Sequence, residues 1–184
     1  MPYHLFDTAF GTCAIAWSEA GLIRVQLPEP TRAETEARIR RAGSEPSGMP
    51  LPAFASDAVS ALQMYLAGTA VTFETLRLDE AFVSTFNASI YRTLRAVPRG
   101  TTVTYGDLAK RVGQPGAARA VGMAMGRNPW PVIVPCHRVL ARGRKMGGFS
   151  APGGTATKER LLALEGVVVG DPLLPGLLDP RRSS

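Results

Sequence analysis

A chain of 184 residues, 45% hydrophobic and 20% charged, is long enough for one full hydrophobic core or two small domains and has the balance of a soluble globular protein. No apolar run approaches membrane-spanning length, and Met1-Pro2-Tyr3-His4 lacks the basic start and long apolar segment of a secretion signal, so a membrane protein is excluded and a cytoplasmic one is expected. The net charge of +6 is one-sided: residues 1–85 hold 6 Arg and no Lys against 10 Asp plus Glu, whereas residues 86–184 hold 15 Lys plus Arg against 5, and the second half therefore carries a basic surface that attracts polyanions.

Three short strands are expected first, at 3–6, 12–17 and 22–27, separated by turns at Phe10-Gly11 and Glu19-Ala20-Gly21 and forming a small antiparallel sheet. Cys13 falls in this apolar pattern as a core residue. Thr31 with Glu34 has the form of a capping box, opening an arginine-rich helix to about Ala42 with Gly43 as its stop. Residues 43–54 read as a loop, and a second helix over 56–66 sets Val59, Leu62, Tyr65 and Leu66 on one face. The two cysteines and two histidines (Cys13, Cys136, His4, His137) have no zinc-ligand spacing, so neither a metal site nor a disulfide framework is expected.

The segment 76–83 crosses from the acidic half to the basic one. It divides the chain into a domain over 1–83 and a second over 84–170, with 171–184 expected as a mobile tail. Over 85–96, Phe86, Ile90, Leu94 and Val97 make a buried helix stripe, and Pro98-Arg99-Gly100 turns the chain. Thr104 with Asp107 caps a helix over 105–112, Gly113 closes it, and another helix runs over 116–125, a helix-turn-helix candidate. Ala117, Ala118, Ala120, Gly122 and Ala124 leave that second helix almost bare, so its backbone can approach a partner closely, with Arg119 projecting from it.

Pro129, Pro131 and Pro135 exclude helix from the run that follows, and the β-branched Val132-Ile133-Val134 is expected as a buried strand that delivers Cys136 at its end. A thiol attacks as the thiolate; His137 can take its proton and Arg138 can add positive field. The alternative is that Cys136 is a small core residue, the common fate of a free cysteine. After a basic turn at 142–145 come Gly147-Gly148-Phe149-Ser150, whose glycines allow backbone to line a flat pocket, and a helix over 155–164. That helix ends in Glu165, where a carboxylate facing the negative end of the helix dipole calls for a partner.

Pro135-Cys136-His137-Arg138-Val139, with Asn128-Pro129 before it and Gly147-Gly148-Phe149-Ser150 after it, resembles the O6-alkylguanine-DNA alkyltransferases, the methylated-DNA–protein-cysteine methyltransferases, over about residues 84 to 166. The resemblance implies an α/β two-domain fold: a small N-terminal ribonuclease-H-like domain with an antiparallel sheet and helices, and a mostly helical, winged-helix-like C-terminal domain containing a helix-turn-helix. It further implies transfer of an alkyl group from O6 of guanine, less efficiently from O4 of thymine, to Cys136, once per molecule and without a cofactor. The partner it implies is duplex DNA bearing O6-alkylguanine, with the protein monomeric when free.

By the same resemblance Glu165 orients His137, which polarises a water that holds the Cys136 proton, and Asn128 ties the recognition helix to the active-site strand. Tyr105 rotates the target phosphate and lies against the flipped nucleotide; Arg119 replaces the extruded base; Ala118, Ala120, Gly122 and Arg138 are expected at the DNA. Pro131, Val139, Phe149, Ser150 and Lys158 are expected around the substrate. Phe149 stands where many relatives have tyrosine, Ala151-Pro152 lengthens the loop relative to some, and Asn87 and Tyr91 replace a glutamine and a tryptophan. Two other readings are weighed against this one. An alkyltransferase-like lesion binder would lack the cysteine, and a cysteine hydrolase or redox protein would not need a bare helix with a projecting arginine.

Overall fold

The computed structural model describes residues 1–169, so the expected mobile tail at 171–184 lies outside the described residues. Alternating apolar residues build the first sheet. Strand β1 (Pro2–Thr8) pairs antiparallel with β2 (Gly11–Trp17), from Tyr3 opposite Ala16 to Thr8 opposite Gly11, and β2 pairs antiparallel with β3 (Leu22–Gln26). The sheet is not wholly antiparallel as expected. Glu45–Pro46, from the stretch read as a loop, forms a short β4 parallel to β1, giving the order β3-β2-β1-β4. Proline is tolerated there because β4 is an edge strand.

Both faces of β2 are covered. Helix α1 (Arg32–Arg41) starts at the expected Thr31/Glu34 capping box and packs Ile39 with Ala14 and Ala16. Helix α2 (Ala53–Leu66) begins earlier than expected, after Pro52, and buries Ala55, Ala58, Leu62, Tyr65 and Leu66 in the cluster that holds Cys13, Ile15 and Trp17. This follows from the strand period of two, which sends odd and even residues to opposite layers.

The second half is mostly helical. Ser84 caps α3 (Thr85–Arg95), and a second capping box, Thr104 with Asp107, opens α4 (Tyr105–Arg111) directly after β5 (Val103–Thr104). Gly113, at φ 75°, reverses the chain into α5 (Ala118–Gly126), completing the helix-turn-helix. Strand β6 (Val139–Leu140) lies parallel to β5, and α6 (Gly154–Leu164) closes the chain.

Hydrogen bonds tie the halves together where the site forms. The Val25 N–H of β3 donates to the Pro129 carbonyl at 2.8 Å, and the Trp130 indole N–H to the Leu22 carbonyl at 2.8 Å. The Arg99 guanidinium donates to the Gly68, Thr69 and Leu164 carbonyls, tying the loop after α2 to the last residue of α6. The first sheet thus buttresses the segment that carries Cys136.

Candidate active site

The strand expected before Cys136 does not form. Val132 adopts φ 77°, a left-handed conformation that a β-branched residue reaches only at a cost of about 1–3 kcal/mol. The chain folds back there, with the Val134 N–H donating to the Trp130 carbonyl at 2.8 Å. Pro135, at φ −78° and ψ 65°, then makes an inverse γ-turn in which the Cys136 N–H donates to the Val134 carbonyl at 2.8 Å. The three prolines explain the miss, since they strip the donors a ladder needs and leave the backbone to close turns instead. Asn128 holds the fold-back from the side: its amide donates to the Val134 carbonyl at 2.9 Å, and its carbonyl accepts from the Trp130 N–H at 3.0 Å. Cys136 consequently opens a single 3₁₀ turn, Cys136–Arg138.

That turn aims His137 and Arg138 at the end of α6. Glu165 sits there with its side chain fully buried, and His137 Nε2 lies 3.0 Å from Glu165 Oε1. Arg138 donates through Nη2 to Oε1 at 2.7 Å and through Nε to Oε2 at 3.0 Å, with a further bond from Nη1 to the Val97 carbonyl at 2.5 Å. Arg138 is therefore a buried cation paired inside the protein, whereas it was expected at the DNA. Glu165 needs it, because a buried carboxylate is stable only when paired.

Tyr65 of α2 joins the network from the other half of the chain, its hydroxyl donating to Glu165 Oε1 at 2.6 Å and lying 3.1 Å from His137 Nε2. Its place on an apolar helix face made it look like core. The missed signal is that a buried tyrosine hydroxyl requires a partner. Burial alone would raise the Glu165 pKa, but hydrogen bonds from His137 and Arg138 outweigh it and hold the carboxyl well below the usual range. Burial holds His137 below its ordinary value, so the imidazole is neutral near pH 7. With Nε2–H committed to Glu165, Nδ1 is the free lone pair; it is buried and bonded by no described protein atom.

Cys136 is 6% exposed, and burial pushes its thiol pKa up, while Asn128 and the Lys158 charge pull it back. Cys13 differs: it is fully buried, and burial, with the nearby Asp7 charge, pushes its pKa up to about 12. Lys158 is itself fully buried and donates to the Val139 carbonyl at 2.6 Å. Lys158 and Val139 thus stand behind the pocket and do not line it, which corrects the expectation for both.

Cys136 opens into a cavity of about 390 Å³ lined by Tyr105, Gly122, Met125 and Gly148 to Ser150. Gly147 packs closely against the Tyr105 ring: a Cβ there would lie 2.8 Å from the Tyr105 hydroxyl, so the ring would have to shift. Beside this cavity a broad groove between α4 and α5 is lined by Tyr105, Lys110, Ala118, Arg119 and Gly122, with Arg119 exposed. Ala120 does not line the groove, and Pro131 borders a separate cavity on the far side of Cys136.

A sheet half that buttresses a helix-turn-helix half, with one buried thiol under the second helix and a histidine–carboxylate pair behind it, defines a protein that acts on nucleic acid through cysteine. Residues 85–167 match the model of the 6-O-methylguanine DNA methyltransferase DNA binding domain, and residues 1–80 match that of its ribonuclease-like domain. The chain belongs to the 6-O-methylguanine DNA methyltransferase family. It is 37% identical to the methylated-DNA–protein-cysteine methyltransferase of Shigella flexneri over 89% of this chain and 88% of that one. The corresponding protein of Methanosarcina acetivorans is 34% identical over 90% of this chain and 99% of its own. Among solved structures, Mycobacterium tuberculosis OGT in complex with DNA superposes with a TM-score of 0.72 at 33% identity, covering 90% of this chain and 93% of that one.

Proposed function

We propose that this protein repairs duplex DNA directly, moving an alkyl group from O6 of guanine, and less efficiently from O4 of thymine, onto the Cys136 sulfur. The observation that carries the reading is Cys136 at the wall of a cavity under α5, with a neutral His137 whose only free nitrogen is Nδ1. Nδ1 receives the Cys136 proton, directly or through one water, and Glu165 stabilises the imidazolium that results. The thiolate attacks the O6-bound carbon in line, the C–O6 electron pair leaves with the guanine, the Tyr105 hydroxyl supplies the proton that restores the base, and the proton that His137 took from Cys136 makes good, through solvent, the one that Tyr105 gave. Among the described residues no group beside the thioether product is able to cleave it, so each molecule reacts once. The DNA brings the transferred group, and the chemistry calls for no cofactor.

A base inside the duplex cannot reach Cys136, so the nucleotide must leave the stack at a cost of a few kcal/mol. Arg119, exposed on α5, fills the gap and offsets part of that cost, and the small residues Ala118 and Gly122 let the helix backbone approach the groove. On this reading residues 84–170 do the chemistry, residues 1–83 hold Cys136 and Glu165 in place, and the protein works as a monomer in the cytoplasm.

Intact mass after incubation with duplex DNA bearing one O6-methylguanine tests the proposal. One added methyl group that maps to Cys136, with guanine restored and no transfer by Cys136→Ala, is the expected result. An unchanged mass alongside tight binding to the lesion would make it a recognition protein instead.

A further inference from the structure

Through Tyr65 the first half of the chain places a side-chain atom inside the histidine–carboxylate pair. The Tyr65 hydroxyl lies 2.6 Å from Glu165 Oε1 and 3.1 Å from His137 Nε2, and Oε1 lies 3.0 Å from Nε2, so the three close a triangle. A tyrosine hydroxyl has one proton, and its shorter contact gives that proton to the carboxylate. What it turns towards Nε2 is therefore a lone pair. Two acceptors then face Nε2, and only a protonated Nε2 satisfies both. The imidazole proton is thereby kept off Nδ1, which is buried and bonded by no described protein atom.

The ring that carries this hydroxyl is fixed. Tyr65 is fully buried on α2, and Phe73 meets its ring edge-on with the centroids 5.4 Å apart. The Arg99 guanidinium lies 5.5 Å from the Tyr65 centroid while bonding to the carbonyls of Gly68, Thr69 and Leu164. Burial, and then the Glu165 charge, push the phenol pKa above its ordinary 10.0, so the donor stays protonated. Glu165 by itself guides the imidazole poorly, because Oε1 is shared with Arg138 at 2.7 Å and Oε2 is taken by Arg138 and the Gly100 N–H. The hydroxyl supplies a second point of attachment that Arg138 does not compete for.

Resting on the proposed alkyl transfer, we infer that Tyr65 is a positioning residue of that reaction, which fixes the His137 ring and its tautomer so that Nδ1 is the nitrogen left to take the Cys136 proton. The step balances without a proton from Tyr65. The Cys136 proton goes to Nδ1, directly or through one water, the S–C bond forms as the C–O6 bond breaks with its pair on O6, and the phenol keeps its hydrogen throughout. As Nδ1 is protonated, positive charge grows on Nε2–H, where the phenol lone pair and the carboxylate both stabilise it. A residue that only packs would need the ring and not the hydroxyl.

Tyr65→Phe keeps the ring and deletes the hydroxyl. Because each molecule reacts once, a single-turnover trace separates the competent fraction, read as amplitude, from the chemistry, read as the rate constant at saturating substrate. The variant is expected to keep its amplitude and its half-saturating DNA concentration within about twofold, and to lose about tenfold or more in rate constant on both the O6-methylguanine duplex and free O6-benzylguanine. Phe73→Leu, which loosens the ring but leaves the triangle, is expected to change the rate constant by less than about twofold. The chain has two histidines, so imidazole nitrogen NMR spectra resolve His137 in the natural protein. They should show Nε2 protonated and Nδ1 bare near pH 7, and they carry the test should Tyr65→Phe fail to fold. An unchanged rate constant in Tyr65→Phe, a loss confined to the duplex, or a His137 protonated at Nδ1 overturns the role. No transfer from O6-methylguanine by the natural protein overturns the alkyl-transfer reading itself, and is thereby told apart from the other failures.

Discussion

Replacing Glu165 by glutamine removes one charge from a buried network of ion pairs and hydrogen bonds. The Glu165 side chain is fully buried and Arg138 is 9% exposed, and three Arg138 contacts, the Tyr65 hydroxyl, His137 and the Gly100 N–H all converge on the carboxylate. Breaking a buried pair by neutralising one partner leaves the other charge uncompensated, at a cost of about 3–5 kcal/mol. For a chain of this size that lowers Tm by on the order of 10 °C. Arg138→Met should cost about as much, and the double variant less than the sum, with a coupling of about 2 kcal/mol or more.

The pH dependence has a definite sign. Glu165 is held below its ordinary 4.5 in the folded state, so as pH falls the unfolded chain takes up the proton first and stability is lost. His137, held below 6.5, acts in the same direction. The contribution of the pair is complete above about pH 6.5 and declines through the acid range below it. Urea unfolding from pH 7 to pH 4 should therefore show a steeper loss in the natural protein than in Glu165→Gln. Alkyl transfer by the folded variant should slow by about 10²-fold or more, because the imidazolium loses its counter-charge. A destabilisation under about 1 kcal/mol, with an unchanged acid profile, would refute the argument and make the pair no stronger than a surface contact.

Arg119→Ala should slow transfer from duplex DNA by about tenfold or more while leaving the reaction with free O6-benzylguanine within about twofold, because only the duplex requires a base to be held out of the stack. Equal losses on both would reject that role. Gly147→Ala should slow both substrates together, since its Cβ would sit 2.8 Å from the Tyr105 hydroxyl and displace the ring that lines the Cys136 cavity; kinetics on the two substrates separate it from Arg119→Ala. Under native conditions a small thiol-alkylating reagent should modify Cys136 alone, because Cys13 is fully buried with its pKa pushed up to about 12, and peptide mapping would reveal any early modification of Cys13.

What the sequence determined by itself is chemistry completed within a few residues. The capping boxes Thr31/Glu34 and Thr104/Asp107 are reciprocal bonds across a single turn, and both helices start where those pairs lie. The bare face of α5 and the Cys136-His137 pair are equally local. So is the demand of Glu165 for a partner, which the end of a helix imposes on any carboxylate. Tertiary structure decided what depends on residues far apart in the chain. Tyr65 reaches Glu165 across 100 positions and Trp130 reaches Leu22 across 108, and no local pattern encodes either meeting. Arg138 turns inward because Glu165 arrives at the end of α6. Val132 holds a left-handed backbone because Asn128 and the packed Trp130 over-determine the turn around it, a constraint that a β-branched residue does not announce. Single residues can announce a nucleophile and a base, but the direction in which each points is settled by the packing that buries them, since burial is where an unpaired charge or donor becomes too costly to keep.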